Sequence, residues 1–94
     1  MIYKQMYTPA VVEFLGTALI IGAVAFLHNP VMVVAATAIA IGLGGKISGG
    51  HFNPALTAWA LLAGKISQEK AITYMFSQFA AGIFIFFIST ITTM

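Results

Sequence analysis

The residues able to do chemistry in this chain are few. Its 94 residues carry four lysines, two glutamates, two histidines and no cysteine. His28 and His51 have no Cys or carboxylate neighbours at metal-ligand spacing, so we expect no metal. Thiolate chemistry is ruled out by composition. Lys4, Lys46, Lys65 and Lys70 against Glu13 and Glu69 are too sparse for a nucleic-acid surface. What remains is hydrogen bonding, concentrated in Ser48-Gly-Gly-His-Phe-Asn-Pro-Ala-Leu-Thr57.

Within that stretch Asn53-Pro54 is a helix-start signal. Asn is a preferred N-cap, and Pro at the first helical position loses no bond because its N–H would have no partner. The helix can run through Ala55 and Leu56 to Ala63, with Gly64 as its left-handed terminator. Roughly ten residues make about 15 Å, half of a hydrocarbon core about 30 Å thick. Such a segment cannot span. A half-helix behind a Gly-rich irregular approach fits a re-entrant loop, which is tolerated at membrane depth only where protein buries it or where it lines a watery cavity. Gly49, Gly50, His51 and Phe52 would offer carbonyl acceptors to that cavity. Asn53, capping with its oxygen, would keep its amide NH₂ free as a donor beside the positive helix end, an arrangement that suits uncharged solutes and repels cations. His51 reads as an ordinary buried histidine bonded to the loop rather than a pH gate.

The stretch SGGHFNPALT, with EFLGT (Glu13 to Thr17) upstream and SQFAAG (Ser77 to Gly82) downstream, resembles the aquaporin or major intrinsic protein family and its first Asn-Pro-Ala segment. The resemblance covers nearly the whole chain and half of the family's usual length. It implies passive conduction of water or a small uncharged solute such as glycerol, with no cofactor and no covalent step and so no enzyme, through a pore completed by an inverted second half, either a separate chain or an antiparallel copy, with a higher oligomer open. It also implies that Pro54 and Ala55 shape the helix tip, and that Glu13 turns inward to brace the loop with help from Gln78. From the residues alone Glu13 could instead snorkel to headgroups, and Gln78 could make a lone helix–helix bond. If two copies paired, Val33, Ile41, Gly50 and Leu56 would form an apolar mouth without an arginine. A non-conducting subunit, or a truncated and inactive channel half, is the alternative.

The elements that must hold these residues are apolar. Hydrophobic residues make up 61% and charged ones 6%, with a mean hydropathy of +1.02, which defines a lipid-bilayer protein. We expect an all-α fold of three spans, about residues 9–27, 30–43 and 71–91, plus the re-entrant loop and half-helix at 46–64, as a single repeat. Pro9 would open the first helix, after an interfacial lead-in from Met1 to Thr8. The Asn29-Pro30 pair lacks a Gly-rich approach and reads as a plain cap. All four lysines fall on the N-terminal side of this three-span layout, so the positive-inside rule places the N-terminus in the cytoplasm and favours one fixed orientation.

Overall fold

The computed structural model describes residues 2–92, with side chains described from residue 7 onward. Among the described residues four helices follow one another: α1 (Ile2–Leu27), α2 (Pro30–Ser48), α3 (Pro54–Leu62) and α4 (Gln68–Thr92). The chain is all-α. Helices α1, α2 and α4 contain stretches long and apolar enough to cross a membrane, Tyr7–Leu27, Pro30–Ser48 and Gln68–Thr92. Helix α3, at nine residues, is half that length. Helix α1 packs against both α2 and α4, while α3 packs against α4. The body measures 41 × 24 × 24 Å, a long axis close to the about 40–45 Å of a bilayer with its headgroup layers.

Local chemistry accounts for most of the boundaries. Asn29 caps α2 with its Oδ1, which accepts from Val31 N at 2.9 Å, and Pro30 occupies the first helical turn. Asn53 does the same for α3, accepting from Ala55 N at 2.7 Å with extended backbone at φ −162°. Helix α3 ends in a Schellman closure. Gly64 takes φ +73°, and the N–H groups of Gly64 and Lys65 donate back to Leu61 O at 3.1 Å and Ala60 O at 2.9 Å. Ser67 Oγ then accepts from Lys70 N at 3.2 Å, and Glu69 lies in the first turn of α4, where a negative charge suits the dipole.

Three boundaries differ from the sequence expectation. Helix α1 starts at Ile2 and continues through Pro9 instead of opening there. A proline interrupts only one backbone bond, and neighbouring helices tolerate that in a membrane bundle; Pro9 is itself buried. Helix α4 starts at Gln68, three residues early. Helix α2 runs to Ser48 rather than stopping near Leu43, carrying Gly44 and Gly45 inside it. These glycines permit contact rather than breaking the helix, since a Cβ at Gly44 would fall 2.6 Å from Val12 Cγ1 on α1. The helix stops at Gly49, left-handed at φ +93°, whose N–H returns to Gly45 O at 2.8 Å.

Helix α1 also meets the loop closely at Gly16. A Cβ there would lie 2.2 Å from Cε1 of Phe52, whose ring is buried and whose backbone is left-handed at φ 52°. Gly16→Ala should therefore destabilise the fold by about 1–2 kcal/mol. The overpacking cost of about 1–3 kcal/mol exceeds the gain of up to about 1 kcal/mol that alanine brings to a helix. Gly42→Ala, with nothing within 4 Å of the new Cβ, should be neutral or stabilising. Thermal unfolding midpoints in detergent test both; a Gly16→Ala protein as stable as Gly42→Ala would contradict the packing argument.

Candidate functional site

The site is built on one acidic side chain. Glu13, three turns into α1, is fully buried at 0% exposure, so it does not reach the headgroups. Each of its oxygens accepts twice. Oε1 takes Phe52 N–H at 2.7 Å and Gln78 Nε2–H at 2.9 Å. Oε2 takes the Ser48 hydroxyl at 2.6 Å and His51 N–H at 3.1 Å. The donors come from α4, from the last residue of α2 and from the loop, so a single carboxyl ties three separate segments to α1. Buried polar groups in hydrocarbon must be satisfied internally, and the loop's amides have no helix of their own to satisfy them.

A second layer fixes the rest of the loop. Gly50 N donates to Ser48 Oγ at 3.1 Å. The Tyr74 hydroxyl, from a fully buried side chain on α4, donates to Ser48 O at 2.5 Å. Its ring meets the His51 ring edge-on at 5.2 Å between centroids, and the Lys70 ammonium sits 5.6 Å from its centroid. Thr57 Oγ1, buried on α3, accepts from Gln78 Nε2 at 2.9 Å and pairs with His51 Nδ1 at 2.8 Å. Gln78 thus bridges α1 and α3 with one amide nitrogen. Among the described residues Gln78 Oε1 and Thr17 Oγ1 are the fully buried polar side-chain atoms without a partner.

Of the residues singled out in the sequence, the structure brings together Glu13, Gln78, Gly50, His51 and Phe52. Gly49 and Gly50 both adopt positive φ, at 93° and 67°, which turns the chain from α2 back toward α3. Asn53 is exposed and its Oδ1 is engaged in the cap. Pro54 and Ala55 form the first turn of α3. Ile41 adjoins the loop, with its Cγ1 3.7 Å from where a Cβ on Gly50 would stand. Val33 lies eight residues along α2 from Ile41, about 12 Å at helical rise, and Leu56 is exposed on α3. Sequence reasoning missed Ser48, Thr57 and Tyr74 as members of the network. Their signal was weak. Ser48 and Thr57 stood at the two ends of the quoted stretch and Tyr74 outside it, and a hydroxyl beside or within an apolar helix does not announce its partner.

Geometry of this kind, three spanning helices around a buried, glutamate-braced loop with an Asn-capped half-helix, defines an integral multi-pass membrane protein with a re-entrant segment. The sequence profile of the major intrinsic protein family matches residues 3–94, and the chain belongs to that family. It is 38% identical over 92 residues to aquaporin-8 of Rattus norvegicus, an alignment covering 86% of this chain and 35% of the relative. It is 37% identical over 84 residues to glycerol uptake facilitator protein-like 6 of Lactiplantibacillus plantarum, covering 76% of this chain and 37% of the relative. A shorter match, 42% identical over 45 residues, links it to the probable aquaporin TIP1-2 of Oryza sativa subsp. japonica, covering 48% of this chain and 18% of the relative. The chain thus spans about a third of the length of the first curated relatives it matches, 35% in each case. No solved structure matches significantly.

Proposed function

We propose that this chain forms one half of a passive, bidirectional pathway for water or a small uncharged solute such as glycerol, with the pore completed by an inverted second half. The observation that carries this reading is the Asn53 turn. Its Oδ1 is used by Ala55 N–H, so its Nδ2 hydrogens are the part left to donate outward, at the positive end of a half-helix. The loop before it, Gly49 to Phe52, has its amides from Gly50 onward held by Ser48 and Glu13, which leaves its carbonyl oxygens as acceptors. Donor and acceptors in series, with no fixed charge among them, suit a neutral oxygen-bearing solute and disfavour cations. The names of the relatives, aquaporin and glycerol uptake facilitator, agree with that class of solute.

An inverted partner also fits the surface. Leu15, Leu19, Ile39, Ile41, Leu43 and Leu56 are all exposed, more apolar area than a pore-facing half needs unless lipid or a second half covers it. Lys46, Lys65 and Lys70 lie toward the end where α1 begins and α3 finishes, opposite the His28 turn. By the positive-inside rule that end is cytoplasmic.

Stopped-flow liposome assays on the purified chain, with water and with glycerol, test the pathway. Flux above that of empty liposomes supports it. Absence of flux, alone and with candidate second halves, would favour a non-conducting subunit. Single cysteines at Gln68 and Val31 in intact cells test orientation; labelling of each from both sides would refute a fixed topology.

A further inference from the structure

Thr17 closes the EFLGT stretch of α1 and Gln78 lies in the SQFAAG stretch of α4. Each buries a polar atom that has no partner among the described residues, Thr17 Oγ1 and Gln78 Oε1, in side chains only 4% and 2% exposed. The two residues share one interface. Glu13 bonds Gln78 at 2.9 Å, Ile21 Cδ1 lies 3.6 Å from where a Cβ on Gly82 would stand, and Ile85 Cδ1 lies 3.9 Å from where one on Gly22 would stand. These contacts climb both helices together, so α1 and α4 run side by side in the same direction. Thr17 stands four residues from Glu13 and four from Ile21, on the same face of α1, and so meets α4 between Gln78 and Gly82. The α4 residues at that level, Ala81 and Gly82, are small, and Ala81 is fully buried; little side-chain volume competes for the space beside Thr17.

The orientation of the Gln78 amide is set by its neighbours. Both Nε2 hydrogens are used, on Glu13 Oε1 and on Thr57 Oγ1, each at 2.9 Å. A turned amide would set its oxygen against the Glu13 oxygen that already accepts Phe52 N–H. Gln78 Oε1 therefore faces away from those partners and needs a donor of its own. Thr17 holds an unplaced proton. Thr37, Thr73 and Thr92 each donate to the carbonyl four residues back, whereas the Thr17 hydroxyl leaves Glu13 O unbonded and does not reach Gln78 Oε1 directly. We propose that one sealed water molecule bridges them, accepting from Thr17 Oγ–H, donating to Gln78 Oε1 and giving its second hydrogen to Glu13 O. About three partners is the usual complement of a buried water, and a helix carbonyl bonded once keeps a second lone pair. The bridge ties the next turn of α1 to α4 and holds the amide in the one orientation that serves both Glu13 and Thr57. Thr17 is thus a positioning residue for the loop's brace, whether or not the chain conducts.

A crystal structure at a resolution that shows ordered water tests the site directly. The expected result is one density peak within about 2.5–3.0 Å of both Thr17 Oγ1 and Gln78 Oε1. A direct hydrogen bond between the two side chains, or no peak between them, overturns the proposal. Thr17→Val keeps the shape of the side chain and removes its hydroxyl, so the water loses a partner and Gln78 Oε1 its donor. The unfolding midpoint in detergent should then fall by about 4–8 °C, the shift that one lost hydrogen bond makes in a domain of this size. Thr17→Ser should keep the peak and most of the midpoint. A Thr17 hydroxyl with no partner predicts the opposite, because valine relieves a buried unpaired group; a Thr17→Val midpoint equal to or above that of the parent therefore overturns the bridge. If Thr17→Val does not fold, the peak in the parent protein decides alone.

Discussion

Replacing Glu13 by leucine is expected to abolish the folded protein. Leucine fills comparable space but accepts nothing, and four donors lose their acceptor at once: Ser48 Oγ–H, His51 N–H, Phe52 N–H and one Gln78 N–H. Each stranded buried donor costs about 1–3 kcal/mol. Together they rival the about 5–15 kcal/mol that holds a whole domain. The Ser48 hydroxyl has a fallback in Gly44 O, at 3.4 Å, but the two loop amides have none. Phe52 feels the loss most, because its left-handed backbone is held in place by that amide bond and by the ring's seat against Gly16. Glu13→Gln should fall between leucine and the parent. Its one carbonyl oxygen can serve Phe52 and Gln78, while its NH₂ faces His51 N–H and leaves that group unpaired. The monodisperse fraction after extraction and the unfolding midpoint rank the three. Equal values for leucine and the parent would show that the loop does not depend on this residue.

The second large effect falls on conduction rather than folding. Asn53→Asp keeps the cap, because aspartate is as good an N-cap as asparagine and its oxygen can still accept from Ala55 N. The half-helix should survive, aided by the favourable dipole at its N-terminus. What disappears is the pair of Nδ2 hydrogens. In their place stands an anion, at a cost of about 2.5–3.5 kcal/mol if the tip sits at mid-membrane, facing the oxygen of any solute with like polarity. Water and glycerol permeability should fall at least about tenfold, the equivalent of about 1.4 kcal/mol added to the barrier. Asn53→Ser, which keeps a cap and a single hydroxyl donor, should lose less. Liposomes carrying equal amounts of each folded variant give the comparison. An Asn53→Asp protein that conducts like the parent would remove Asn53 from the solute path.

The half-helix and its cap were legible in the sequence because the signals are local. Asn53 and Pro54 act within one turn, Gly64 within one residue, and hydropathy integrates over a span regardless of what lies beside it. Glu13 was legible for the same kind of reason, as an acid inside an apolar run that must find partners somewhere. Which partners, the sequence alone could not say. The bonds that reach Glu13 join positions 35 to 65 residues apart, and whether Ser48, Thr57 and Tyr74 point into that cluster or toward lipid depends on how α2, α3 and α4 are rotated about their axes. A hydroxyl in a membrane helix can always turn back to its own backbone, as Thr37 and Thr73 do, so residue type carries little information about rotation. The same holds for glycine. Gly44-Gly45 reads as a helix end by propensities measured in water, yet α2 passes through them, because close approach of Val12 needs the missing Cβ and the hydrocarbon offers no competing partner for the backbone. Local sequence thus determined where the chain turns, caps and crosses. Only the packing of α1 against α2 and α4 decided which polar groups meet, since a buried hydrogen bond forms where geometry leaves the donor no other acceptor.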